Sequence, residues 1–93
     1  MILVIEMEDI KKFEKREKLL LELEYEFTKK LIRLRKDNDL SQEKMAKQAN
    51  VIRETIARIE NHMVSPNITT IIKILEPVGY TIDIIKIKDN DNG

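Results

Sequence analysis

The sequence predicts a mainly α fold, and three observations carry that expectation. Between Leu40 and Glu60, two short amphipathic helix patterns flank a tight turn. Strong helix formers run from Asp9 to Glu24 ahead of that pair, and apolar residues recur at helical spacing from Ile68 to Val78 behind it. With 42% hydrophobic and 37% charged residues in a chain of 93, the composition suits one globular domain rather than a disordered segment. Aromatic residues make up only 4%, so Ile, Leu, Val and Met must build the core. A chain this small buries a limited share of its surface, and a second copy or a partner would help it.

Residues 2 to 5 are β-branched or leucine and suit a short strand. Asp9 to Glu24 then places Ile10, Phe13 and Leu20 or Leu21 on a narrow helical stripe. Glu26 to Asp37 continues the pattern with Phe27, Leu31 and Leu34 on one face and a basic face opposite. These are two helices or one fused near Tyr25. Asn38 and Asp39 are poor helix formers. Ser41 suits an N-cap and Glu43 meets the positive end of the helix dipole, which starts a helix over Gln42 to Ala49. Asn50 suits a left-handed turn residue, and the next helix, from about Arg53 to Asn61, turns Ile56 and Ile59 inward.

Ser65-Pro66-Asn67 breaks the chain and Asn67 can cap. Ile68, Ile71, Ile74, Leu75 and Val78 then close the underside of the core, with Pro77 ending or kinking that helix. Past Gly79 the segment YTIDIIKI is β-branched and apolar on both faces, which predicts a strand over 80–88, covered on each side or paired with another chain. Residues 89–93 are expected to be a disordered tail. The organisation expected is therefore an N-terminal extension over 1–27, a unit over 28–79 built around the helix pair, the strand and the tail.

There is no cysteine, so no disulfide frame or thiolate metal site is available, in keeping with a reducing cytoplasm. MILVIEMED is too short an apolar run to span a membrane, and acidic residues follow where a signal peptide would carry its cleavage site. No membrane partner and a cytoplasmic location are expected. The formal net charge is zero, yet it is polarised: residues 1–27 carry five basic and eight acidic side chains, and residues 28–60 carry nine basic and five acidic. Excess positive charge thus coincides with the helix pair.

That pair has the form of a helix-turn-helix. A helix entering the major groove must present a few polar side chains that match base edges. Arg53 and Arg58 can each donate two bonds to a guanine, Glu54 can accept from cytosine, and Thr55 can meet a base methyl or a phosphate. Gln42 and nearby backbone amides at the start of the preceding helix can hold a phosphate. Helix pairs of this size also arise as plain packing, Arg53 and Arg58 can be merely solvated, and Glu54 can restrain an arginine instead of touching a base. His62 has no second histidine, cysteine or patterned carboxylate cluster beside it, so neither a metal nor a catalytic site is expected there. No triad spacing appears, and no enzyme activity or cofactor is expected.

Over Leu31 to Gly79 the chain resembles the Cro/CI-like (XRE) helix-turn-helix domains. The resemblance rests on Leu31-x-x-Leu34-Arg35, Leu40-Ser41-Gln42, Met45-Ala46, Val51, Thr55-Ile56, Ile59-Glu60-Asn61, Pro66 and the closing run Ile68, Ile71, Ile74, Val78-Gly79. It implies a bundle of about five helices with an N-terminal helical extension and a short C-terminal β-strand. It also implies that Gln42 and Asn61 make backbone contacts, that Arg53, Glu54, Thr55 and Arg58 occupy base-reading positions, and that Arg35 pairs with Glu60. The chain departs from the pattern at Asn50 and His62, where glycine is common, and at Ile52, where Ser or Thr usually caps the reading helix.

The extra N-terminal helix and the ending Gly79 to Ile87 are similar to the HigA branch of type II antitoxins. That likeness rests on layout rather than on a spaced motif. It implies a homodimer on palindromic operator DNA that represses its own operon and neutralises a small RelE/HigB-like ribonuclease toxin, with the N-terminal segment as the place for toxin contacts. Glu6, Glu8, Asp9 and Glu14 suit a basic toxin surface or form a solvated helix face. A stand-alone or prophage repressor without a toxin, and an interaction module that no longer reads DNA, are the competing expectations.

Overall fold

The computed structural model describes residues 7–87. The first helix, α1 (Met7–Asp37), is continuous over 31 residues, which fuses the two N-terminal helix patterns into one. Nothing in that run breaks it, because it contains neither glycine nor proline. It ends where Asp39 turns left-handed at φ 54°. There the Leu40 N–H reaches the Arg35 carbonyl at 3.0 Å, and the Asn38 side-chain amide donates to the Leu34 carbonyl at 2.8 Å.

Helix α2 (Gln42–Ala49) opens on Ser41, whose hydroxyl oxygen accepts the Lys44 N–H at 3.0 Å. It closes on Asn50, which takes the left-handed conformation at φ 56°. Asparagine tolerates that region better than other side-chain-bearing residues, so the turn forms without glycine. Helix α3 (Arg53–Glu60) follows after Asn50, Val51 and Ile52, and its N-cap Ile52 offers no side-chain hydrogen bond. The Ile52 carbonyl instead accepts the Thr55 N–H at 3.0 Å. His62 makes the next left-handed turn, at φ 58°. Helix α4 (Ile68–Leu75) is capped by Asn67, whose Oδ1 accepts the Thr70 N–H at 2.8 Å. Pro77 converts its end into a single 3-10 turn over Glu76–Val78, closed by Gly79 at φ 84°.

The core is one cluster of Leu31 from α1, Met45, Ala46 and Ala49 from α2, Ile56 and Ile59 from α3, and Ile74 and Leu75 from α4. Phe27, Leu34, Leu40, Val51, Ile71 and Ile82 pack around it. Small alanines on the inner face of α2 let α3 and α4 approach closely while isoleucine and methionine fill the space between. No buried side-chain nitrogen or oxygen among the described residues lacks a hydrogen-bond partner.

Two expectations are corrected. The described residues hold four α-helices and a 3-10 turn rather than about five helices, because α1 takes the place of two. The strand expected over 80–88 is not formed within the described residues: 81–87 carries no ladder, and Ile84 is 97% exposed. A β-branched segment apolar on both faces forms a strand only when another strand accepts its backbone bonds, and none lies beside it among the described residues. Only Ile82 turns into the core. The strand suggested over residues 2–5, the tail at 89–93 and Glu6 lie outside the described residues.

Candidate nucleic-acid interface

The angle between α2 and α3 is held by the shared core and by one polar knot. Arg35, near the end of α1, donates from Nε to Glu60 Oε2 at 2.7 Å and from Nη2 to Oε1 at 2.9 Å, a two-point fork. Its Nη1 donates to the Leu40 carbonyl at 2.9 Å. Gln42, at the first turn of α2, adds a bond from Nε2 to Glu60 Oε1 at 3.1 Å. One carboxylate on α3 therefore gathers donors from α1 and α2. The Arg35 and Glu60 side chains are only 12% and 6% exposed, so the knot is shielded from competing water.

Along α3, Arg53, Glu54 and Arg58 are exposed. Arg58 Nη2 lies 3.5 Å from Glu54 Oε2, an i,i+4 pair in solvent that restrains both side chains weakly. Thr55 is half-buried between this face and the core, while Asn61 is exposed at the C-terminal end of the helix. Of the residues singled out from sequence, the structure thus brings Arg53, Glu54 and Arg58 onto one accessible helix face. Gln42 stands apart, its amide drawn to Glu60 through one of its two hydrogens.

A second cluster had no signature in residue spacing. The His62 ring stacks on Tyr25 of α1, centroids 5.3 Å apart and planes 16° from parallel. The Lys29 ammonium sits 5.5 Å from the same tyrosine ring, and the Ser65 hydroxyl donates to the Glu24 carboxylate. The His62 and Ser65 contacts tie the α3–α4 connection to the middle of α1. Their partners are 37 and 41 positions apart in the sequence, so only the folded chain pairs them.

The site holds no grouping of three or more His, Cys, Asp or Glu residues suited to a metal among the described residues. No described helix is long and apolar enough to cross a membrane.

Comparison with known proteins bears on this geometry. The helix-turn-helix family profile (HTH_3) matches residues 31–85, which includes α2, α3 and α4 whole. An uncharacterized HTH-type transcriptional regulator of Haemophilus influenzae is 33% identical over 60 residues, a match spanning 64% of this chain and 61% of that protein. A solved structure described as a toxin-antitoxin module from Streptococcus pneumoniae superposes with a TM-score of 0.65 at 25% identity, covering 92% of this chain and 97% of the other.

Proposed function

This chain belongs to the XRE-type helix-turn-helix family of DNA-binding transcription regulators, and from that premise we propose that it is an antitoxin of the HigA type that represses its own operon and neutralises a RelE/HigB-like ribonuclease toxin. The DNA-binding half of the reading is carried by one observation. The exposed face of α3 is held at a fixed angle to the start of α2 by the Arg35–Glu60–Gln42 knot. Preorganised donors lose little freedom when they meet a rigid groove.

In this reading α3 enters the major groove. Arg53 and Arg58 donate to guanine edges, Glu54 either accepts from cytosine or restrains Arg58, and Thr55 meets a base methyl or the backbone. The second hydrogen of the Gln42 amide, the backbone N–H groups opening α2, and Asn61 hold phosphates on either side and set register. A homodimer would place two such helices about 34 Å apart on a palindromic operator. Residues 28–79 form the reading unit.

The antitoxin half is supported by the extent of the Streptococcus pneumoniae likeness, which covers 92% of this chain and so takes in the N-terminal arm as well as the helix-turn-helix. Residues 1–27 then serve as the partner-binding segment, and the protein acts in the cytoplasm. A stand-alone repressor is the second reading, supported by the Haemophilus influenzae relative and its description as a transcriptional regulator.

Tagging the chain in its native host and weighing what co-purifies decides between them. A small basic partner that cleaves RNA once released supports the antitoxin. Recovery of the chain with specific DNA and no such partner rejects it in favour of the stand-alone repressor.

A further inference from the structure

The helices on either side of α3 each start on a polar side chain that caps them. Ser41 accepts the Lys44 N–H at the start of α2, and Asn67 accepts the Thr70 N–H at the start of α4. Helix α3 starts instead on Ile52, whose side chain caps nothing. Ser, Thr, Asp or Asn would satisfy the first-turn amides better at that position. Packing does not account for the isoleucine either. Val51 packs against the core, whereas Ile52, the next residue, is 66% exposed. An apolar side chain thus occupies a capping position, at a cost to the helix start and with no burial within the chain.

Its place in the fold and its chemistry identify what it meets. Ile52 directly precedes Arg53 and Glu54, both exposed. A helix that reads the major groove contacts base edges chiefly with its N-terminal residues, so the N-cap side chain stands at the leading end. Isoleucine has no donor or acceptor, so it can bond neither a phosphate nor a polar base edge. The apolar group displayed in the major groove is the C5-methyl of thymine, and proteins read it by apolar contact. A β-branched side chain also has little rotamer freedom to lose when it makes such a contact.

We infer that Ile52 is a specificity-determining residue whose side chain packs on a thymine methyl group in the major groove. The inference rests on the reading that α3 enters that groove. To the hydrogen-bonding contacts of Arg53 and Arg58 it adds an apolar one, which selects thymine over cytosine at one position. The uncapped start of α3 is then a loss of stability that serves selectivity.

The test uses the full chain and the duplexes it selects from a randomised DNA library. These are expected to hold thymine at a fixed position. Replacing each thymine in turn by deoxyuridine removes only its methyl group, and at that position should weaken wild-type binding about fourfold, the worth of one buried methyl-sized group. Ile52→Ala and Ile52→Ser should each bind the thymine duplex more weakly by at least that factor, and neither should distinguish thymine from deoxyuridine there. Arg58→Ala should bind more weakly yet keep the full methyl effect. Circular dichroism checks that every variant is folded. Because serine supplies the missing cap, weaker binding by Ile52→Ser is not the result of a frayed helix. If no thymine methyl matters to the wild type, or if the methyl effect persists in both Ile52 variants, the inference is overturned while α3 stays in the groove. Failure to select any duplex overturns the groove reading itself, and the inference with it.

Discussion

Replacing Glu60 with alanine removes the acceptor that Arg35 engages at 2.7 and 2.9 Å and Gln42 at 3.1 Å. The loss differs from that of a surface ion pair, because the Arg35 side chain is only 12% exposed and would be left charged without its counterion. Breaking a buried pair on one side costs about 3–5 kcal/mol. Arg35 keeps its bond to the Leu40 carbonyl, so the lower end, about 3 kcal/mol, is expected. For a domain of this size each kcal/mol moves Tm by about 4–8 °C, which gives a drop of roughly 12–24 °C. The internal control is Glu54→Ala, which removes the exposed pair with Arg58 at 3.5 Å and should cost no more than about 0.5 kcal/mol. Replacing both partners, Arg35→Met with Glu60→Leu, should leave the protein more stable than either single replacement, since no buried charge is stranded. Thermal unfolding followed by circular dichroism measures all of them. If Glu60→Ala shifts Tm no more than Glu54→Ala, the knot does not hold the helix angle and the reasoning fails.

Three further outcomes follow from the same geometry. Arg58→Ala should weaken operator binding by about 1–3 kcal/mol and relax preference at one base position, measured by titration at fixed salt, and an unchanged isotherm would remove Arg58 from the reading face. Ile52→Ser should stabilise the fold by about 0.5–2 kcal/mol in urea denaturation, because Ile52 is 66% exposed, has extended backbone and caps nothing; a loss of stability would show that its side chain packs usefully. Gly79→Ala should destabilise by about 1–2 kcal/mol through the left-handed φ of 84° alone, since an added Cβ there meets no atom within 4 Å. A neutral result in the same assay would mean that the turn relaxes.

What could be read from the chain divides along physical lines. Helix starts at Ser41 and Asn67, the turn at Asn50 and the break at Pro77 are written in single residues whose conformational preferences act locally, and the structure places caps and turns there. The unbroken α1 was open because nothing at Tyr25 favours continuation over a break except the absence of a breaker. The strand does not form over Tyr80 to Ile87 because β-branched residues apolar on both faces state a preference that only a neighbouring strand can satisfy. The interface divides in the same way. Helical period alone turns Ile56 and Ile59 inward and sets Glu54 and Arg58 across the helix from them, with Arg53 at the flank. That Gln42 leans on Glu60, or that His62 stacks on Tyr25, depends on how separate helices meet, which no local pattern encodes.

These two kinds of contact give α1 a mechanical role. One rigid helix, about 46 Å long at 1.5 Å per residue, carries Arg35 at its base and the exposed stripe on its arm. Arg35 grips α3 through Glu60, while Tyr25 and Glu24 grip the α3–α4 connection through His62 and Ser65. Helix α3 is therefore fixed to α1 at two levels. With no glycine or proline between arm and base, a change in what the arm docks against cannot be absorbed by a hinge within the helix.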